Sequence, residues 1–274
     1  MEPPVDLVVN CFERTYRSVL GPGFFARLQA DHVRPFARRA ALVNNVADRA
    51  DAEERARERI AAGELDAVFF VADHLDEALA RTGLTRADLE PVAYFLDFAL
   101  VAACLPGPEL MLVNDADVRL HAPSDWITPA LELMARDPRV MIANPDWEDP
   151  TLAEFTLERD GDFALGYGFS DQLYLARRSE LSRPIYGQRC LARLRYPLSQ
   201  LACIYEARID AHLRHHSRLR ATHTGARYLH PVEMGTSWPG QTRRERLRGL
   251  RHRATLELLR RTPAALRAAH LRQL

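Results

Sequence analysis

Leu110-Met111-Leu112-Val113-Asn114-Asp115-Ala116-Asp117-Val118 decides the reading of the fold. Four apolar residues in a row, with no alternation, suit a strand covered on both faces, as in a parallel sheet. The run then meets an amide and two carboxylates at the point where such a strand opens to solvent. Working outward, Val5–Asn10, Ala40–Asn44, Val68–Val71 and Val140–Ala143 are similar short apolar runs. Helical stretches separate them. Arg14–Leu20 is closed by Gly21-Pro22-Gly23, and Asp51–Gly63 is built of Ala, Glu and Arg with Gly63 as its stop. Asp76–Thr82 and Pro91–Cys104 follow, the latter with Pro91 at the first helical position, and Ser124 caps a helix reaching about Arg136. Five strand–helix alternations imply an α/β fold with a mostly parallel sheet flanked by helices. Ligands of such folds bind beyond the carboxyl ends of the strands.

After residue 144 the pattern changes. A loop rich in acids and glycine, Pro145–Gly168, precedes a strand-like Gln172–Ala176. Pro197 opens a helix through about His216, with Leu201, Ile204, Tyr205, Ile209 and Leu213 on one stripe. The remainder is Arg-rich helix, restarted at Thr262-Pro263. These shifts divide the chain into a main unit, residues 1–240, and a helical C-terminal extension, residues 241–274.

The chain has 274 residues, 47% hydrophobic and 27% charged, which excludes global disorder. All 37 basic residues are Arg, and with the abundant Ala this fits a GC-rich coding sequence. Net charge is zero but unevenly spread: residues 1–160 hold 16 Arg against 29 acids, residues 161–240 hold 11 against 6, and residues 241–274 hold 10 against 2. No whole-chain field attracts nucleic acid. The basic end is expected to dock on the acidic first half or to touch anionic lipid weakly, through a stripe of Leu247, Leu250, Leu256 and Leu259. Cys11, Cys104, Cys190 and Cys203 show no zinc or redox spacing. The start lacks a basic and apolar leader. Val92–Leu105 is too short for a bilayer, which needs about 20 residues. A soluble, cytoplasmic protein is the expectation.

Several residue types point to chemistry. Alternation sets Asp115 and Asp117 on one side, and two oxygens aimed alike suit a hard divalent cation and the phosphates it bridges. Glu206 and Asp210 lie one helical turn apart and can face one cleft, so either can serve as a general base. Alternatively they form a solvated face with Arg208 and Arg214. Asp171 and Gln172, following Gly166-Tyr167-Gly168, are placed to bond sugar hydroxyls, or Asp171 is a satisfied loop acid. His212 and His216 have a spacing that can bind zinc, but the helix lacks the acid of a zinc-protease motif. Trp147 either stacks on a sugar or covers the core.

In the order of these motifs the chain resembles a GT-A glycosyltransferase, most similar to the family 2 type, over about residues 5 to 231. The resemblance implies the GT-A, nucleotide-diphospho-sugar transferase fold. It sets Cys11-Phe12-Glu13-Arg14 and Asn45 against the donor's base, and Asn114 and Asp115 against the nucleotide sugar, with Gln172 beside them. Asp117, with Asp115 and His230, would hold Mn2+ or Mg2+, and Glu206 would be the base on the acceptor side. Asn45 replaces the family's usual acid, and Tyr205-Glu206 replaces its Glu-Asp pair. The Gln-x-x-Arg-Trp motif of processive members is absent. The implied function is metal-dependent transfer of a sugar from a nucleoside-diphosphate donor to an unidentified acceptor, inverting at the anomeric carbon. Asp171 is the candidate should configuration be retained. The alternatives are nucleotidyl transfer onto a sugar phosphate and a non-catalytic nucleotide-binding role.

Overall fold

Burial on both faces explains why the apolar runs become strands. The computed structural model describes residues 3–147, 156–230 and 242–262. The expected runs form β1 (Val5–Cys11), β2 (Arg38–Val43), β3 (Ala67–Phe70), β4 (Leu110–Asp115) and β6 (Val140–Asp146), and Leu173–Arg177 forms β9. Leu7, Val8, Val9, Leu112 and Val113 have no exposed surface at all. Such near-continuous burial contributes roughly 1.5–3 kcal/mol per large side chain. Asp6, the one acid inside β1, is equally buried and is met by the guanidinium groups of Arg38 and Arg178.

Four strands escape the sequence pattern: β5 (Arg119–Leu120), β7 (Thr156–Asp160), β8 (Phe163–Gly166) and β10 (Leu219–Leu229). Strand β7 is polar and exposed, and β10 carries Arg, Thr, His and Gly, so neither reads as an apolar run. The segment expected as a loop before Gly168 therefore contains a hairpin. Among the described residues the sheet has ten strands, ordered β3-β2-β1-β4-β9-β6-β10-β8-β7, with β5 on β10. The expected parallel arrangement holds for β3-β2-β1-β4 and for β6 with β10. Strand β9 runs antiparallel between β4 and β6, and β8 runs antiparallel to β10, so the whole sheet is mixed.

That reversal matters for the site. Because β9 opposes β4, Leu173 pairs with Asn114, and Asp171 lies at the carboxyl end of β4. Strand β10 bulges away from β6 between His223 and Arg227, then pairs Tyr228 with Leu120 and Leu229 with Arg119. Its end is thereby carried to the turn that follows β4.

Helices cover the sheet, though three begin later than expected. The helix expected from Pro91 starts at Asp97 after a 3-10 turn at Ala93–Phe95, and the one expected from Pro197 spans Tyr205–His215. The helix expected from Ser124 spans Ile127–Arg136, and Asp125 supplies its N-terminal acceptor to Thr128 N–H at 3.1 Å. An additional helix, Phe24–Asp31, follows Gly23, whose φ of 77° glycine adopts without penalty.

The Arg-rich helix Arg243–Arg261 packs its leucines on residues beyond the acidic half, although Arg248 and His252 line a cleft with Asp88 and Glu90. Leu256 and Leu259 rest on Cys190, Ala192 and Ala211, and Arg248 Nη1 donates to the Gln200 carbonyl at 2.9 Å. The two leucines find an apolar seat there, which decides the position against charge alone. Leu247 and Leu250, expected on the same stripe, stay exposed. The restart expected at Pro263 lies outside the described residues. Among those residues no helix is long and apolar enough to cross a membrane.

Candidate active site

The carboxyl ends of β1 and β4, the start of β9, the end of β10 and the helix Tyr205–His215 meet at one half-buried cleft. Strand β4 delivers Asp115, whose Oδ1 accepts from Asn10 Nδ2 at 3.0 Å. Asp117 sits in the following turn, and its Oδ2 is 3.4 Å from His230 Nε2 at the end of β10. Glu206 occupies the first turn of its helix and accepts from the main-chain N–H of Asp171. Tyr205, beside it, is buried against Phe169 and Tyr186, which fixes the helix to the Gly168–Asp171 loop. Tyr228 donates to Ser170 Oγ at 3.1 Å and ties that loop to β10.

Crowding of acids governs the electrostatics. Burial pushes the Asp115 carboxyl well up, and the charges of Asp171 and Asp117 add to the rise while the Asn10 amide opposes it. Burial raises Asp171 to about 6, against the pull of its own N–H and of His230. Glu206 is raised by burial and then by the charges of Asp171 and Asp115, with the Asp171 N–H and Arg195 pulling back. The hydrogen bond to Asp117 raises His230, and the Asp117 and Asp171 charges assist. The like charges of Asp115, Asp171 and Glu206 thus oppose one another's ionisation. Perturbed acids gathered in one place make these residues functional-site candidates.

The donor set bears on metal binding. Asp117 and His230 face each other as one hard oxygen and one imidazole nitrogen. Among the described residues no group of three or more His, Cys, Asp or Glu is arranged around one point. A hard cation is commonly held by one or two protein groups together with substrate phosphates, so two facing donors beside an acid-rich cleft fit Mn2+ or Mg2+ completed by a diphosphate.

The other residues singled out in the sequence fall into place differently. Asn114 points to the opposite face, where its Nδ2 donates to the Asp115 carbonyl at 2.6 Å and, at 3.4 Å, to that of Val118. It thus braces the turn. Cys11 is wholly buried, and that burial drives its thiol upward, so this position offers a ligand only main chain. Glu13 Oε2 accepts from Ala47 N–H at 2.7 Å and links the loops after β1 and β2. Phe12 and Arg14 lie in that first loop, and Asn45 is exposed in the second with φ of 47°, a conformation asparagine tolerates. The Gln172 carbonyl accepts from Asp115 N–H at 2.8 Å.

Asp210 is not on a solvated face. Its Oδ1 takes hydrogen bonds from Arg214 Nε and from Gly168 N–H, both at 2.9 Å, and both side chains are buried. Arg208 is also buried, bonded to the carbonyls of Cys203 and Tyr186. Trp147 lies under the Arg220 guanidinium at 4.9 Å and packs on the core. His212 and His216 stack at 4.5 Å. Asn10 escaped the sequence reading, although a polar residue ending an apolar parallel strand was the available signal.

No family model and no curated protein sequence matches the chain. Solved structures similar to the chain include sugar-transferring enzymes. Glucosyl-3-phosphoglycerate synthase from Mycobacterium tuberculosis, solved with Mn2+, uridine diphosphate and glucosyl-3-phosphoglycerate, is similar over 65% of this chain at 15% identity and a TM-score of 0.34. The match spans 57% of that synthase's length. A galactosyltransferase solved with donor and acceptor sugar analogues matches 65% of this chain and 59% of its own, at 15% identity and a TM-score of 0.36. Mouse xyloside xylosyltransferase 1 in its apo form matches 78% of this chain and 84% of its own, at 13% identity and a TM-score of 0.43.

Proposed function

We propose that the chain is a GT-A-type glycosyltransferase moving a sugar from a nucleoside-diphosphate donor to an acceptor hydroxyl, with inversion. The observation that carries this reading is the convergence of Asp115, Asp117, Asp171, Glu206 and His230 at the carboxyl ends of β1 and β4. Residues 1–240 are assigned as the catalytic unit and residues 241–274 as its extension.

Asp117 and His230 are assigned to hold Mn2+ or Mg2+, with Asp115 behind them, fixed by Asn10. The cation supplies charge neutralisation on the departing diphosphate. The loops at Cys11–Arg14 and at Asn45 flank the same strand ends and offer main-chain groups and the Asn45 amide to the nucleotide. Asp171 and Gln172 enter beside Asp115 to orient the sugar. Glu206 is assigned as the general base. Its raised proton affinity suits acceptance of the acceptor's hydroxyl proton, and its helix fixes its position. Asp210, tied to Arg214 and Gly168, is assigned as a positioning residue that holds the loop carrying Asp171.

Calorimetric titration with a panel of nucleoside diphosphates, with and without Mn2+, tests the reading. The expected result is metal-dependent binding that Asp117→Asn and His230→Ala each weaken by about tenfold or more, since each removes one ligand of a hard cation. Equal affinity with and without metal, or in wild type and Asp117→Asn, refutes it.

A further inference from the structure

The cleft between the Leu194–Gln200 segment and the helix Arg243–Arg261 has no part in the reaction above. It encloses about 670 Å3, within the range of small-molecule sites. Among the described residues its charged lining has one sign. Arg195, Arg246 and Arg253 face it with no acid, while His252, Ser199 and Gln200 add neutral polar groups.

The cleft is built rather than left over. Leu256 and Leu259 are seated on the domain, Arg248 holds the Gln200 carbonyl, and Ser199 Oγ lies 3.3 Å from His252 Nδ1. The positive potential registers on His252, whose proton affinity falls through burial and the nearby charges of Arg193, Arg248 and Arg251. Arg195 Nη2, on the inner wall, stands 3.1 Å from the point a Cβ on Gly168 would occupy.

We infer that this cleft binds an anionic group, a phosphate or carboxylate. Guanidinium groups recognise such oxygens by charge-assisted, often paired hydrogen bonds. The helix that follows the catalytic unit thereby becomes one wall of a binding site, which gives its arginines a use beyond solubility.

Glycerol phosphate, with glycerol as the uncharged control, is titrated into the full chain in EDTA. Wild type is expected to bind glycerol phosphate and not glycerol. Arg246→Gln/Arg253→Gln is expected to bind about tenfold or more weakly, the loss of one or two charge-assisted hydrogen bonds. Gln keeps the helix propensity, and Mn2+-dependent nucleoside-diphosphate affinity measured in parallel reports that the variant is folded. Vesicles of phosphatidylglycerol, with phosphatidylcholine as control, test whether the anion is carried by a lipid. Sedimentation with the anionic vesicles that the double variant loses assigns the headgroup as the source. Absence of binding to both probes by wild type, or equal binding by the double variant, overturns the inference. Because the phosphate titration needs neither metal nor nucleotide, its failure is separable from failure of the donor site.

Discussion

Trp126 Nε1 donates to His32 Nδ1 at 3.1 Å, and the same ring interacts with the side chain of Asn114, which braces the turn bearing Asp115 and Asp117. This relay requires a neutral imidazole, because a proton on Nδ1 would confront the indole N–H. Burial accordingly lowers the His32 pKa from 6.5 to about 4. The sign follows from proton linkage. Between those values the unfolded chain binds the proton and the native ring does not, so this contribution to stability is complete above 6.5 and is lost as pH falls toward 4. At about 1.4 kcal/mol per pH unit, the loss from pH 7 to pH 4 amounts to about 3 kcal/mol. His32→Gln keeps one acceptor and one donor but does not titrate. Asp97, raised to about 6 by burial, works in the opposite direction but is common to both proteins and cancels in their difference. Urea unfolding of wild type and His32→Gln at pH 7 and pH 4 is the assay. The stability difference between the two is expected to move by about 3 kcal/mol in favour of the variant at the lower pH. A difference that stays constant refutes a buried neutral His32 as the brace.

Glu206→Gln is expected to lower transfer by about 10²–10⁴, with nucleoside-diphosphate affinity little changed, in a steady-state assay set beside calorimetry. Asp210→Asn leaves Arg214 buried with its partner's charge gone, and denaturant unfolding is expected to register a loss of about 3–5 kcal/mol. Gly168→Ala places a methyl 3.1 Å from Arg195 and 3.3 Å from Arg220 at a backbone φ of 91°. Thermal unfolding should show a cost of about 1–3 kcal/mol, with transfer falling further than stability explains.

Strands with both faces covered were legible because their chemistry is uniform: Leu110–Val113 admits no polar side. Strand β10 was not, since Arg220, Thr222 and His223 are accommodated by partners distant in sequence, and only the folded sheet makes them compatible with a strand. The acids at the end of β4 could be read from an apolar strand running into Asp115 and Asp117. The roles of Glu206 and His230 came from the order of motifs alone, because residues this far apart in sequence reveal proximity only once the sheet order is known. The Asp210–Arg214 spacing was visible as one helical turn. Its burial was not, because that depends on Gly168 approaching from the loop ahead of β9.

The excursion of β10 at Thr224–Ala226 has an evolutionary reading. Thr224 is held to the Asp162 carbonyl through both N–H and Oγ1 at 2.9 Å, and Ala226 N–H returns to His223 Nδ1 at 3.0 Å. Side chains alternate along a strand, so loss of one residue in this excursion would reverse the parity of everything after it. His230 would then face away from Asp117, while the strand pairing with β5 survived. An indel here is expected to switch the imidazole into or out of its contact with Asp117, and the β7–β8 turn, which carries Asp162, is coupled to the same excursion. Lineages that keep the strand but shift its parity would retain the architecture and lose the His230–Asp117 contact.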